Sequence, residues 1–434
     1  LLITFCFFNF TRFKKITLIL SSLVFFIFTG YKDFLIFYIT LFLNIILVYM
    51  RINKKFKLLL VIVLNISILF IFKYFEFFIS FFTDEKTKSV FLFSLPIGIS
   101  FYIFQILAYH FDVYKKKITY ANDYTIILVF ISFFPQLIAG PIMRAKYLIP
   151  QLQNIIYKNN KRKIIYSYGL LIILVGLIKK IIFADNLSIL VDDIFIDLPA
   201  DFIIAWCGAF LFSFQIYFDF SGYSDIAIGS AYILGIRLIK NFDTPYFSIS
   251  PREFWTRWHI SLSTWIRDYI YIPLGGSRKN ILFSFFILLF TMILAGLWHG
   301  ANVTFLLWGF LWGIYIYAFR FIYIPKSKLK VFFWFINFFI IMILWVIFRS
   351  ENIYFAIEYI KIMFSITHLS DLYHLYFNFD KDFILYFFIF IILFFTHFLE
   401  KYLDNIKFLI KLKNYNNIFI ITCLVSLITI ITFF

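Results

Sequence analysis

At 434 residues, 63% hydrophobic and only 15% charged, the chain is too apolar for a water-soluble domain, which averages about half apolar and a quarter charged. Its 40 Lys and Arg against 23 Asp and Glu give a formal net charge of +17, which in a soluble protein would suggest a nucleic-acid partner. Here the basic residues cluster between long apolar runs, so membrane topology accounts for the surplus and no nucleic-acid partner is expected.

A helical crossing of a bilayer needs roughly 20 apolar residues. In chain order that length picks out 16–30, 34–50, 57–82, 91–113, 164–184, 202–236, 281–298, 302–324, 331–348, 383–400 and 415–434, and residues 1–10 read as the tail of one more. The start at Leu1, inside an apolar run, points to a missing N-terminal portion or a non-standard start codon; no cleavable signal peptide is recognisable. No run of short alternating segments suggests a barrel, so the expected fold is all-α: a polytopic bundle of about 11–12 spans. Without a solenoid period or a long Gly/Ser or Pro-rich linker, residues 1–434 are expected to form one membrane domain.

The basic segments at 11–15, 51–57, 115–117, 144–163, 237–279, 320–330 and 401–413 all fall on one side, the cytoplasmic one, if 124–143 enters and leaves by the same face. Pro135 and the pair Gly140 and Pro141 interrupt that segment and predict a re-entrant hairpin. Residues 185–201, with Asp185, Asp192, Asp193, Asp197 and Asp201 and no basic residue, predict an exterior loop. Cys6, Cys207 and Cys423 lie far apart in apolar stretches, without zinc or disulfide spacing, and read as small core residues.

Polar side chains inside spans are costly and mark candidate sites. Gln105, His110 and Asp112 end the 91–113 run beside Lys115 to Lys117, where interfacial anchoring is the plainer expectation. Gln215, Asp219, Ser221, Tyr223 and Asp225 follow within 202–236, with Gly222 marking a helix break; the two carboxylates either pair with arginines of the following loop or line a polar tunnel. In 243–279, Ser250, Pro251 and Glu253 predict an N-cap, a first-turn proline and a capping-box acid. Trp255, Trp258, Trp265, Tyr269 and Tyr271 would hold an amphipathic helix at the cytoplasmic headgroups, and Arg252, Arg257, Arg267, Arg278 and Lys279 make that surface cationic. Finally, His299 sits between glycines where two spans lie only a few residues apart. Alone, such a histidine reads as a satisfied structural residue.

Taken together and in this order, the motifs WTRWHISLSTWIRDY (255–269) and LWHG (297–300) resemble those of the membrane-bound O-acyltransferase (MBOAT) family. FFPQLIAGP (133–141) and DFSGYSD (219–225) support the resemblance, which runs from about residue 95 to 315. Within that family, YIPLGGSRK (271–279) and GLWHGA (296–301) look like the alginate O-acetyltransferase branch and related bacterial polysaccharide or peptidoglycan acetylases; the branch that delivers D-alanine to teichoic acids ranks second. The resemblance implies that His299 is the principal active-site histidine and His259 the second of the pair. It implies no permanently bound cofactor, acetyl-CoA as the acyl donor, and an acceptor outside the cell, either a polysaccharide or an esterase-like partner transferase. The implied location is a bacterial inner membrane, surrounded by lipid.

Acyl transfer to a hydroxyl needs a base as oxygen attacks the carbonyl, and neutral imidazole suits that role. Trp298 and Asn302 are candidates to orient the ring or the carbonyl, and Asp219, Tyr223 and Asp225 to line the substrate passage. Arg257, Arg267, Arg278 and Lys279 are candidates for the phosphates of the donor, a cytoplasmic polyanion. No metal site is expected. The chain has no GxSxG, which argues against a covalent serine. A reading from a different class, a transporter or flippase for lipid-linked glycans, would also show buried carboxylates and broken helices, and predicts no donor hydrolysis.

Overall fold

The structure, a computed structural model, describes residues 4, 7–8, 13–80, 82, 95–137, 140–158, 166–322, 329–365 and 391–398. The expected span 415–434, most of 383–400, nearly all of 1–10, and Cys6 and Cys423 lie outside these. Among the described residues every regular element is helical. The helices are α1 (Lys14–Thr29), α2 (Tyr31–Tyr49), α3 (Lys54–Ile79), α4 (Ile99–Tyr114), α5 (Tyr124–Ser132), α6 (Ala145–Tyr157), α7 (Tyr166–Ile196), α8 (Phe202–Ile233), α9 (Pro251–Arg257), α10 (Ile260–Ile266), α11 (Ile281–His299), α12 (Val303–Phe319), α13 (Leu329–Arg349) and α14 (Ile353–Phe364). Seven of these, α2, α3, α7, α8, α11, α12 and α13, are long and apolar enough to cross a membrane.

Short polar side chains set where the helices begin. Asp123, Asp201, Asn280, Asn302 and Asn352 each accept a backbone N–H from the first turn of α5, α8, α11, α12 and α14, satisfying donors that would otherwise be orphaned. The expected cap at α9 is present: Ser250 Oγ accepts from Glu253 N–H at 3.2 Å, while the Glu253 carboxylate reaches back to the N–H of Ile249 at 2.9 Å. Polar residues inside the bundle find one another. Asn44 on α2 and Asn65 on α3, both buried, exchange amide hydrogen bonds at 3.2 and 2.8 Å, as hydrocarbon surroundings require.

Three expectations are corrected. Residues 185–196 are not a loop but the continuation of α7 beyond a π-helical stretch, Ile178–Ala184. Two of their three acids are paired: Asp185 with Lys180 at 2.6 Å and Asp192 with Arg349 at 2.6 Å. Gly222 does not break α8, which runs unbroken for 32 residues. It is instead where α7 and α8 touch, since a Cβ at Gly222 would lie 2.8 Å from the Gly176 carbonyl and one at Gly176 2.7 Å from the Gly222 carbonyl. And Gln105, His110 and Asp112 face the protein interior rather than an interface. Gln105 donates to the Phe130 carbonyl at 3.0 Å, His110 bonds Tyr120 at 2.9 Å and Asp112 pairs with Lys117 at 3.4 Å.

The segment 124–157 folds as a hairpin of α5, a 3-10 turn at Phe134–Gln136 and α6. Its two ends meet where the Tyr157 hydroxyl donates to Asp123. Among the described residues the buried apolar side chains form two clusters. One is built on α1 to α6 and includes Leu262, Trp265 and Trp298; the other, on α7, α8 and α12 to α14, includes Phe254, Trp258 and Trp308. The segment carrying the first histidine motif runs across the seam between them.

Candidate active site

The first histidine motif is not one amphipathic helix at a surface. Between α9 and α10 the chain turns sharply at His259, whose φ of 41° and ψ of 56° lie in the left-handed region that non-glycine residues seldom occupy. Trp258, Trp265 and Tyr269 are buried in the protein rather than exposed on one face of a helix. The stretch before α9 braces the turn: Asn241 accepts from Ile260 N–H at 2.8 Å through its carbonyl and from Ser261 N–H at 3.1 Å through Oδ1, while its amide donates to Ser224 on α8 at 3.2 Å. Arg257 N–H groups hold the Asp243 carbonyl and the Glu253 carboxylate. Asn241 drew no attention in the sequence because an asparagine in a basic loop looks like any solvated polar residue. Truncating it should strand buried partners and cost about 1–3 kcal/mol. The Asn241→Ala protein is therefore expected to unfold earlier in a detergent thermal melt and to lose activity beyond the loss of folded protein, as the turn relaxes.

His259 itself is fully buried. Phe220 from α8 packs on its ring at 4.5 Å, Trp298 lies at 5.5 Å, and Phe101 and Phe242 complete the surround at 6.3 Å. Among the described residues neither ring nitrogen has a hydrogen-bond partner, an arrangement that a folded protein rarely leaves without a use. Burial first, and then any charge on His299, holds its imidazole well below the ordinary range, so the ring is neutral.

His299 is the last residue of α11, half-buried, with Trp298 at 4.7 Å, Phe348 of α13 at 4.9 Å and Trp308 of α12 at 5.2 Å. Trp298 thus lies between the two histidines, and among the described residues its indole N–H also has no partner. The end of α11 is fixed by its partner, since α11 and α12 pack backbone to backbone. A Cβ on Gly296 would run into the Phe305 carbonyl, and one on Gly309 into the Met292 carbonyl. From the opposite side α3 supplies Lys73, which donates to the Trp298 carbonyl and to Ser100 Oγ at 3.2 Å, and Tyr74, which donates to the Leu297 carbonyl at 2.9 Å.

The remaining candidates are dispersed. Asp219 pairs with Lys180 and Asp225 with Lys179, each at 2.6 Å, and Tyr223 lies under the Lys180 ammonium at 5.3 Å. These carboxylates therefore face the π-helical stretch of α7, not arginines of the following loop; Phe220 of that motif packs on His259. Asn302 caps α12 and donates to the Glu351 carbonyl at 2.9 Å, which places it in the framework beneath His299. Arg257 is committed to Glu253, and Arg267 to Asp268 at 2.8 Å. Arg144 joins Asp268 at 2.5 Å. Partial burial opposes ionisation of Asp268, but the hydrogen bonds and charges of Arg267 and Arg144 prevail and hold its carboxyl below the usual range. Arg278 and Lys279 are exposed at the start of α11.

The polytopic helical bundle thus brings His259 and His299 to one tryptophan. The chain belongs to the MBOAT, membrane-bound O-acyltransferase, family, whose model matches residues 26–360. It is 42% identical over 273 residues to a probable alginate O-acetylase AlgI of Pseudomonas putida, covering 62% of this chain and 56% of the relative. To a peptidoglycan O-acetyltransferase of Helicobacter pylori it is 35% identical over 411 residues, 82% of this chain and 75% of the relative. A teichoic acid D-alanyltransferase of Bacillus subtilis matches at 30% over 47% of this chain and 53% of its own length. The chain spans about half the length of the alginate O-acetylases it matches.

Proposed function

We propose that this multi-pass membrane protein moves an acetyl group from a cytoplasmic thioester, acetyl-CoA, across a bacterial inner membrane to hydroxyls of an extracytoplasmic polysaccharide or to a partner transferase. The observation that carries the reading is the convergence of His259 and His299 on Trp298, with ring centroids 5.5 and 4.7 Å away. The alginate and peptidoglycan acetylases among its relatives supply the acyl group and the acceptor class.

In this mechanism His299 takes the proton of the attacking hydroxyl as its oxygen bonds to the thioester carbonyl carbon. The C–S bond then breaks, and the proton passes from imidazole to the departing thiolate. The free N–H of neutral His259 and the indole N–H of Trp298 are the donors at hand for the carbonyl oxygen as it gains charge. Arg278 and Lys279 serve as the donor's phosphate contacts, since Arg257 and Arg267 already hold carboxylates. Asp219, Tyr223 and Asp225 shape the passage indirectly, through Lys179 and Lys180.

The test is transfer of label from radioactive acetyl-CoA in membranes holding the wild-type protein or His299→Ala. Label entering a polysaccharide fraction or a partner protein only with the wild type supports the reading. Equal labelling in the two removes it. Transport of a lipid-linked glycan without donor hydrolysis would favour the flippase class, and labelling from a D-alanyl thioester alone would move the acyl group to the teichoic acid branch.

A further inference from the structure

Lys73 is a lysine within a membrane-length helix, and among the described residues no carboxylate lies within ion-pair distance of it. Its partners are neutral: the Trp298 carbonyl, Ser100 Oγ at 3.2 Å and the face of the Trp298 indole at 5.7 Å. An ammonium in such a setting inserts less readily than any apolar side chain, so its retention calls for a use.

The use is visible at the end of α11. The last carbonyls of a helix have no N–H of their own to accept, and beyond His299 the chain leaves extended at Gly300. Two consecutive carbonyls, of Leu297 and Trp298, are taken by two consecutive side chains of α3, Tyr74 and Lys73. Neighbouring residues of a regular α-helix point about 100° apart. In α3 they sit in a π-helical turn, Phe70–Tyr74, a wider turn that recurs at functional sites. Positive charge is also favoured at a helix C-terminus by the aligned peptide dipoles.

We infer that Lys73 and Tyr74 are positioning residues for acyl transfer: a clamp from α3 that fixes the last turn of α11 and with it the His299 ring. The inference rests on the reading of His299 as the base. A tyrosine or serine could satisfy these carbonyls without a net charge, so a lysine kept for stability alone would be a poor choice here. A lysine kept for the chemistry has a distinct signature, because an apolar replacement relieves the desolvated charge while the ring loses its support.

The experiment compares Lys73→Met, Lys73→Arg and Tyr74→Phe in the full chain, reading kcat and KM for acetyl-CoA together with the thermal midpoint in detergent. Lys73→Met is expected to lower kcat by about 10–100-fold, the scale of a small misplacement of a reacting group. KM should move less than about twofold, as for a loss confined to the transition state, with a midpoint unchanged or raised. Lys73→Arg should recover most of the loss, and Tyr74→Phe should show a smaller fall of the same kind. Wild-type kcat in Lys73→Met, or a fall explained wholly by loss of folded protein, overturns the clamp. If Lys73→Met fails to accumulate, Tyr74→Phe decides: an unchanged kcat there overturns the clamp equally. An inactive His299→Ala beside a fully active Lys73→Met removes the clamp alone, whereas an active His299→Ala removes the base itself.

Discussion

His299→Ala is expected to lower acetyl transfer by about 10²–10⁴-fold, the contribution of a positioned general base, while the protein still folds. The two halves of this expectation come from the same contacts. The ring packs against the aromatic side chains of Trp298, Trp308, Phe348 and Phe305, and among the described residues it makes no hydrogen bond whose loss would strand a buried partner. Its removal therefore leaves a small cavity in a well-packed wall rather than an unpaired polar group. His259 calls for a different substitution, because its backbone lies in the left-handed region, where a Cβ-bearing residue other than asparagine or aspartate is strained. His259→Asn keeps the turn and removes the imidazole, so its loss of label transfer reports the ring's chemistry and not a collapsed backbone. A His299→Ala protein that labels acceptor as fast as wild type, at equal amounts in the membrane, would take the base away from this position.

Much of this was legible from residue order. Apolar runs of span length located α2, α3, α8, α11, α12 and α13, and Ser250, Pro251 and Glu253 announced the start of α9. The two histidine motifs pointed to the family that its model match then established. What escaped was set by geometry between helices. The Asp-rich stretch 185–196 lacks apolar length, so it read as a loop, yet it continues the helix, with Asp185 paired to Lys180 and Asp192 to Arg349. Gly222 carries the same letter whether it breaks a helix or admits a neighbour, and only the position of Gly176 decides. Asp219 and Asp225 found lysines one span earlier rather than arginines one loop later, because α7 and α8 lie side by side. Lys73, near the end of an apolar run, is indistinguishable by sequence from a lysine that reaches back to the headgroups. Its partners on α11 are more than two hundred positions away.

Gly296→Ala should do more damage than its single methyl group suggests. The added Cβ would collide with the Phe305 carbonyl oxygen and lie 3.0 Å from the carbonyl carbon, both backbone atoms of α12 that no rotamer change can move aside. Relief requires α11 and α12 to separate, and overpacking of this kind costs about 1–3 kcal/mol or more. The shift is felt one turn away at His299, whose ring is held against Trp308 of α12 by the same helix contact. A displacement on the order of 1 Å there is worth about 10²-fold in rate, so activity per folded molecule should fall as well as the thermal midpoint. Gly313 supplies the comparison. It belongs to the same helix pair, but a Cβ there meets Leu289 at 3.0 Å through the movable end of its side chain and at 3.1 Å through its Cα, far from the histidine. Gly313→Ala is expected to lower the midpoint with little change in activity per folded molecule. If Gly296→Ala instead matches Gly313→Ala in both readings, the close approach of α11 and α12 serves packing alone, and the orientation of His299 must come from the α3 side of the site.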